Sequence, residues 1–164
     1  MSDKRSRYRG KVIDRHTFVP HYLAVLANGM IWSQSRFYLE HYGAGINEVR
    51  LITVIAHSPG LTATGLCDAL VMNKSIVSRS LAVLREKGLV EERHEARTRI
   101  YELTDSGYAL NERIVRISFE REQRLLSGFS PNDKTILLGY LARLFENLQK
   151  TTDLNQMARD DTDG

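Results

Sequence analysis

The sequence predicts a mainly α-helical fold that contains one small β-hairpin. Apolar residues recur at helical spacing along most of the 164-residue chain. Two short runs of strand-forming residues, 89–93 and 99–103, lie between the fourth and fifth of these helical segments. With 42% hydrophobic residues, the chain has enough apolar side chains for a packed core.

The first predicted helix is long and is followed by a second of ordinary length. Apolar residues at nearly the helical period predict the first from Thr17 to about Tyr42, through Phe18, Tyr22, Leu26, Met30 and Phe37. Glycines follow the end of this pattern. The second helix is predicted to start after the N-cap Asn47 and to end before Ser58, with a core side of Val49, Ile52 and Ile55 or Ala56.

Two shorter helices with a tight connection follow. The first of them spans residues 63–70, with Thr62 as its predicted N-cap and with Leu66 and Leu70 turned inward. Residues 71–72 form the connection to the next helix.

The fourth helix is predicted to run from the N-cap Asn73 to Lys87, with an inward face of Val77, Leu81 and Leu84. Gly88 should end it, because glycine adopts the left-handed backbone conformation without steric cost. Helix, tight turn, helix and hairpin, in that order, predict a winged helix-turn-helix over residues 47–104.

Two long helices follow the hairpin. Thr104 is the predicted N-cap of one that reaches about Leu126. Ser130 and Pro131 are the cap and first residue of the other, which carries Leu137, Leu141, Leu144 and Leu148. The sequence thus predicts one domain over residues 17–152. Residues 1–16 are predicted to be a flexible basic arm and residues 153–164 a disordered acidic tail.

Composition limits the classes of function. The 23 Lys and Arg residues against 20 Asp and Glu residues give a net charge of only +3, but the basic residues are concentrated near the N-terminus. The single cysteine, Cys67, excludes an internal disulfide. The chain has no apolar signal-peptide core and no run near the ~18 apolar residues of a membrane span, so a cytoplasmic location is expected.

The fourth helix has the residues of a DNA-recognition helix. The side opposite its core carries Lys74, Ser75, Ile76, Ser78 and Arg79. Arg79 can bond twice to a guanine edge, the serines can bond to bases or phosphates, and Ile76 can pack on a thymine methyl group. Thr62 and the first amides of its helix are expected to contact a phosphate, because helix N-termini attract anions.

Arginines at the hairpin tip contribute little to folding, which raises the question of their function. Arg97 is predicted to enter the DNA minor groove, with Arg99 or Arg93 on the adjacent backbone. The alternative is that they are solvated turn charges. The preceding two-helix unit favours DNA contact.

Three motifs in this region resemble those of MarR-family transcription regulators. They are Leu84-Arg85-Glu86-Lys87-Gly88-Leu89-Val90 at the end of the recognition helix, Glu95-Ala96-Arg97 at the wing tip, and Leu103-Thr104-Asp105-Ser106-Gly107. The resemblance extends to the order of six helices over about residues 17–150. The sequence departs from the family pattern in having Glu95 in place of Asp, Ile76 in place of Thr or Ser, and Gly65 and Cys67 in the third helix.

The resemblance implies a homodimer formed by the N- and C-terminal helices, residues 17–42 and 105–152, acting as dimerisation helices. Two recognition helices would then lie about one DNA turn apart on a near-palindromic site. The alternative is that the apolar stripes of these helices fold back into a monomeric core.

Family members often respond to small aromatic acids, which suggests a ligand site near the first helix. Polar and aromatic residues at helical spacing are candidates for it: His21, Asn28, Trp32 and Arg36, with Arg50 on the second helix. An arginine can pair with a carboxylate while Trp32 stacks on a ring. The alternative is an ordinary interhelical patch.

The sequence gives little support for redox chemistry, metal binding or catalysis. Cys67 is expected to be a small buried residue rather than a redox sensor, and the five histidines show no metal-ligand spacing. No catalytic motif is present, so no enzyme activity and no cofactor are predicted. Two functions remain: a DNA-binding regulator, predicted to be a ligand-released repressor, or a winged-helix module that binds proteins and has lost specific DNA binding.

Overall fold

The computed structural model describes residues 11–150 of the chain, and side chains up to residue 148. The chain divides into two compact units, one up to Val115 and one from Arg116. The elements are α1 (Val19–Tyr42), α2 (Ile46–His57), β1 (Leu61–Thr62), α3 (Ala63–Leu70), α4 (Lys74–Glu86), β2 (Val90–Glu95), β3 (Thr98–Leu103), α5 (Asp105–Leu125) and α6 (Pro131–Lys150). This confirms the predicted mainly helical fold with a β-hairpin wing. The predicted arm lies largely, and the predicted tail entirely, outside the described residues.

The core of the first unit lies between the helices of the helix-turn-helix and the sheet. The residues predicted to point inward from α2, α3 and α4 are buried there, except Leu70 and Ala56, which are half-buried. Leu51 and Ile114 are also fully buried. Burial on two adjacent sides of α2 means that this helix lies at the centre of the unit.

Two predicted helix starts need correction. α1 begins at Val19 with Phe18 as its N-cap, two residues later than predicted, and Pro20 occupies its first turn. α2 begins at Ile46, and its N-cap is Gly45 rather than Asn47. The Val49 amide donates to the Gly45 carbonyl at 3.0 Å, so the helical hydrogen bonds already start there.

The sheet has three antiparallel strands in the order β1-β3-β2. β1 was not predicted, because two residues are too few to show strand periodicity and its pairing with β3 depends on the tertiary fold. β2 and β3 also extend further than predicted, so that Glu95 pairs with Thr98 and only Ala96 and Arg97 form the turn. The wing is therefore a tight hairpin.

The wing and α5 meet at Thr104, which caps α5 as predicted. Its hydroxyl accepts from the Gly107 amide at 3.1 Å and donates to the Gly88 carbonyl at 2.7 Å. Its own amide donates to the Leu89 carbonyl at 3.1 Å. One residue thus joins the end of β3, the start of α5 and the turn after α4.

Two contacts connect the C-terminal end of α1 to other helices of the first unit. The Tyr42 ring lies 4.6 Å from the Arg113 guanidinium, and its hydroxyl donates to the Arg113 carbonyl at 3.4 Å. The Lys87 ammonium donates to the Gly43 carbonyl. The end of α4 is thereby held against the end of α1.

In the second unit, a reciprocal cap starts α6. The Asp133 amide donates to the Ser130 hydroxyl at 3.2 Å, and the Ser130 amide and hydroxyl donate to the Asp133 carboxylate at 2.9 and 2.7 Å. These hydrogen bonds to its charged form hold the pKa of Asp133 below its usual value. The predicted cap at Ser130 is confirmed.

Candidate nucleic-acid interface

The turn between α3 and α4 positions the start of the recognition helix. Val71 has φ 50°, a left-handed conformation that is rare for a β-branched residue, and the Met72 amide donates to the Cys67 carbonyl at 3.0 Å. Asn73 caps α4 as predicted: its side-chain oxygen accepts from the Ile76 amide at 3.0 Å and from the Ser75 hydroxyl at 2.8 Å.

The outer side of α4 begins with exposed polar and basic residues. Four of the five residues predicted to face DNA are exposed, namely Lys74, Ser75, Ser78 and Arg79. Ile76 is half-buried, which is compatible with an apolar contact but not with a freely projecting side chain. The Arg79 Nε donates to the Ser75 carbonyl at 3.2 Å, so the guanidinium lies along the N-terminal turn.

A buried hydrogen bond that the sequence did not reveal holds α4 against α2. Ser80 is only 4% exposed, and its hydroxyl donates to the Glu48 carboxylate at 2.5 Å. The sequence feature that could have predicted this hydrogen bond is a serine on the inward side of α4, between Val77 and Leu81. Because buried polar groups need partners, this bond restricts rotation of the recognition helix.

Thr62 caps α3, its hydroxyl accepting from the Gly65 amide at 3.1 Å. The hydroxyl hydrogen has no acceptor within the described residues. Thr62 is half-buried at the end of β1, so α3 begins at the edge of the sheet.

The arginines of the wing have different environments. Arg93 lies 2.5 Å from a Glu91 carboxylate oxygen and 3.1 Å from one of Glu102, and these acidic neighbours raise its pKa further. Arg99 lies 3.2 Å from Glu92. Arg97, at the tip, makes no ion pair or side-chain hydrogen bond within residues 11–148.

The turn at the wing tip leaves Arg97 without a carboxylate partner in the described residues. Ala96 has φ 55°, a conformation that favours glycine. No ion pair joins Glu95 to Arg97 in the described part of the chain. The guanidinium of Arg97 is therefore uncommitted and exposed.

The five candidate ligand residues do not share one environment. Trp32 is 83% exposed and Asn28 is exposed, so neither lines an enclosed pocket within one chain. Arg36 pairs with Glu40 at 2.6 Å, one turn along α1. The half-buried Arg50 donates to the Leu70 carbonyl at 3.0 Å, capping the end of α3, and half-buried His21 packs edge-on against Tyr22.

The remaining predictions concern redox chemistry, metals and membranes. Cys67 is half-buried and packs against the core, whereas full burial was expected. The described residues contain no cluster of three potential metal-ligating side chains. None of the helices described combines the length and hydropathy that a membrane crossing requires.

Comparisons with known proteins show similarity to the MarR family over part of the chain. The MarR family model matches residues 42–99, which include the helix-turn-helix and most of the wing. The chain is 31% identical over 91 residues to the HTH-type transcriptional regulator PecS of Dickeya dadantii. That match covers 54% of this chain and 55% of PecS, so it spans about half of the relative's length.

Solved structures match over more of the chain. A MarR/EmrR family transcriptional regulator from Acinetobacter sp. ADP1 is 27% identical, with a TM-score of 0.80 over 85% of this chain and 100% of that one. The S. aureus MepR–DNA complex, at 22% identity, has a TM-score of 0.72 over 82% of this chain and 99% of that chain, and shows the same fold. The described residues thus form six helices and a winged helix-turn-helix, the fold of a solved MarR/EmrR family regulator, and residues 42–99 match the MarR family model.

Proposed function

We propose that this protein is a homodimeric transcription repressor that binds a near-palindromic DNA operator and is released from it by a small ligand. The observation that carries the DNA-binding part is the uncommitted Arg97 at the tip of a wing that follows an exposed, polar recognition-helix surface. MepR, which has the same fold, was solved as a DNA complex.

The mechanism needs no covalent step, and in this proposal the ligand acts only through binding. A ligand that binds the DNA-free spacing of the two lobes more tightly than the DNA-bound spacing shifts the protein away from its operator.

The DNA contacts follow from the exposed side chains. Arg79 lies over the first turns of α4, where it can bond to a guanine edge, and Lys74, Ser75 and Ser78 lie close enough to reach bases or phosphates. Ile76 supplies an apolar contact to a thymine methyl group. Arg97 enters the minor groove, and the amides at the start of α3 together with Thr62 contact a phosphate.

Arg93 and Arg99 are less available for contact with DNA than Arg97 is. Both guanidinium groups already contact wing carboxylates, so a phosphate would have to compete with these partners. We therefore assign the minor-groove contact to Arg97, and a phosphate contact by Arg99 would require its release from Glu92.

The proposed homodimer would cover apolar side chains that a single chain leaves exposed. In the first unit, α1 exposes Val19, Tyr22, Val25, Leu26 and Ile31 among others. In the second unit, α6 exposes Leu138, Tyr140, Leu141, Leu144, Phe145 and Leu148. A second copy of the chain is the proposed occupant, because exposed apolar surface of this extent marks an interaction site.

The DNA-binding proposal is tested by removing the two arginines. Fluorescence anisotropy would compare the parent and the Arg79→Ala/Arg97→Ala variant on a duplex selected from random DNA by the parent, with a scrambled duplex as control. We expect the double variant to lose at least about 100-fold in operator affinity, because a bidentate base contact alone contributes about 1–3 kcal/mol.

A matched control removes the same charge from outside the winged helix. Arg116 and Arg124 are exposed on α5, and the Arg116→Ala/Arg124→Ala variant should bind the selected duplex nearly as tightly as the parent. If the Arg79/Arg97 variant bound as well as the parent, the assignment of the DNA contacts would be wrong. Failure of the parent to select any duplex would instead favour the protein-binding module.

We further propose that the ligand is an aromatic carboxylate that binds beside α1. Its carboxylate would displace Glu40 from Arg36, and its ring would stack on the exposed Trp32, one turn away. His21, Asn28 and Arg50 are the further candidates. Because Trp32 is the single tryptophan of the chain, its fluorescence reports directly on this position.

Benzoate is a suitable probe of this ligand site. Titration should change Trp32 fluorescence in the parent and release the selected duplex, and both effects should weaken in the Arg36→Ala variant. A fluorescence change that is equal in parent and variant would show that Arg36 does not hold the carboxylate.

A further inference from the structure

The face of the wing nearest α4 carries a cluster of three basic side chains around one carboxylate. Glu92 and His94 alternate along β2, and Arg99 pairs with His94 across the sheet, so all three side chains lie on one face. Arg85 reaches the same carboxylate from the last turn of α4. We call Glu92, Arg85, His94 and Arg99 the wing-root cluster.

Glu92 supplies the carboxylate that the ion pairs of this cluster share. One of its carboxylate oxygens lies 2.8 Å from Arg85 Nη1, and the other lies 3.2 Å from Arg99 Nε and 3.6 Å from His94 Nε2. The Glu92 side chain is 12% exposed, whereas Arg85 and Arg99 are 49% and 60% exposed. The carboxylate is therefore enclosed by basic side chains whose outer surfaces remain open to solvent.

We propose that Glu92 is a positioning residue that determines DNA specificity by holding Arg85 and Arg99 away from sequence-independent phosphate contacts and fixing the wing against the recognition helix. This inference rests on the proposed function. Glu92 would then affect the ratio of operator affinity to non-operator affinity, separately from any effect on folding.

The physical reason is that non-specific binding to DNA comes almost entirely from cations that neutralise phosphates. Two arginines paired with Glu92 contribute less to that binding than two free arginines. The same pairs connect α4 to both strands of the hairpin, so they restrict the position of Arg97 relative to Arg79. Loss of the carboxylate should therefore strengthen binding to any DNA while weakening discrimination.

The test compares Glu92→Gln with Glu95→Gln by fluorescence anisotropy on the selected duplex and its scrambled control. Glu95 lies on the same strand and forms no ion pair in the described residues, so its variant removes an equal charge without releasing an arginine. Circular dichroism would establish that both variants fold. The parent must first bind the selected duplex.

For Glu92→Gln we expect affinity for the scrambled duplex to rise about three- to tenfold and the operator preference to fall by a similar factor. The slope of log affinity against log salt should become steeper by about 0.9 for each phosphate newly contacted. For Glu95→Gln the preference should stay at the parent value. If both variants had the same ratio of operator affinity to scrambled-duplex affinity, the proposal would be overturned, because loss of any wing carboxylate would then have the same effect.

A second comparison separates positioning from simple structural support. In the Arg85→Ala/Arg99→Ala background, Glu92→Gln should no longer change the salt slope, because the arginines through which it acts are absent. Glu92→Asp, which keeps the charge, should retain the parent slope. A slope change that persists without the two arginines would contradict the inference, whereas a parent that binds neither duplex would refute the proposed function itself and this inference with it.

Discussion

At the scale of single residues, Gly107 shows how a sequence motif is explained by a close backbone contact. A Cβ atom at this position would lie 2.1 Å from the Leu89 carbonyl oxygen, which accepts the Thr104 amide. Any side chain there would push the first turn of α5 away from the end of the recognition helix. The glycine of the Leu-Thr-x-x-Gly motif is thus required by packing and not by a left-handed conformation, since its φ is not positive.

Gly107→Ala should lower the free energy of unfolding by about 2 kcal/mol, because the added methyl group meets backbone that cannot rotate away. Urea unfolding followed by circular dichroism measures this change. Gly29→Ala is the matched control, since a Cβ at Gly29 meets no atom within 4 Å and the change should stabilise α1 by about 0.5–1 kcal/mol. A neutral effect of Gly107→Ala would mean that α5 can shift without cost.

At the scale of elements, the reciprocal cap of α6 links helix stability to pH. The Ser130 hydroxyl and amide lower the pKa of Asp133 in the folded state. A carboxyl with a lowered folded-state pKa contributes stability that is complete above its unfolded-state pKa and is lost as pH falls through the lowered value. Asp133→Asn should therefore unfold at lower urea than the parent at neutral pH.

The difference between parent and Asp133→Asn should shrink when the pH falls to about 2.5, below the ordinary carboxyl value. Urea midpoints at the two pH values, read by circular dichroism, test this. Asp105→Asn provides a comparison at the start of α5, where no capping hydroxyl donates a hydrogen bond to the aspartate in the described residues. A difference at Asp133 that is independent of pH would contradict the electrostatic explanation.

At the scale of the whole molecule, exposed apolar residues on α1 and α6 predict a dimer. The parent should have a solution mass of about 37 kDa, twice the 18.7 kDa chain, by light scattering after size exclusion. Leu144→Glu places a charge in the proposed interface and should shift the mass toward that of one chain. Arg143→Glu introduces the same residue one position earlier and should leave the dimer intact.

A parent that migrates as a single chain would contradict the dimer and, with it, the near-palindromic operator. Dissociation by Leu144→Glu should also weaken operator binding, because the two recognition helices would no longer be joined. Arg143→Glu again serves as the comparison in that assay.

Much of the fold was predicted from local sequence. The caps Thr62, Asn73, Thr104 and Ser130 were identified correctly, because a capping side chain bonds to an amide only three residues away. The inward faces of α2 and α4 were predicted from helical periodicity. The predictions were wrong where neighbouring residues carry no pattern. Gly45 caps α2 without a side chain, and the two-residue β1 exists only through its pairing with β3.

The candidate site was predicted only in part. The sequence by itself determined that a polar, basic helix and an arginine-bearing hairpin follow each other, since both are properties of adjacent residues. Only the tertiary structure decided which arginines are free. Arg93 pairs with Glu91 on its own strand and with Glu102 on β3, and Arg99 pairs with Glu92 on β2, whereas Arg97 pairs with no carboxylate in the described residues. The physical reason is that ion pairing depends on strand register and on the approach of α4, both of which join residues distant in the sequence.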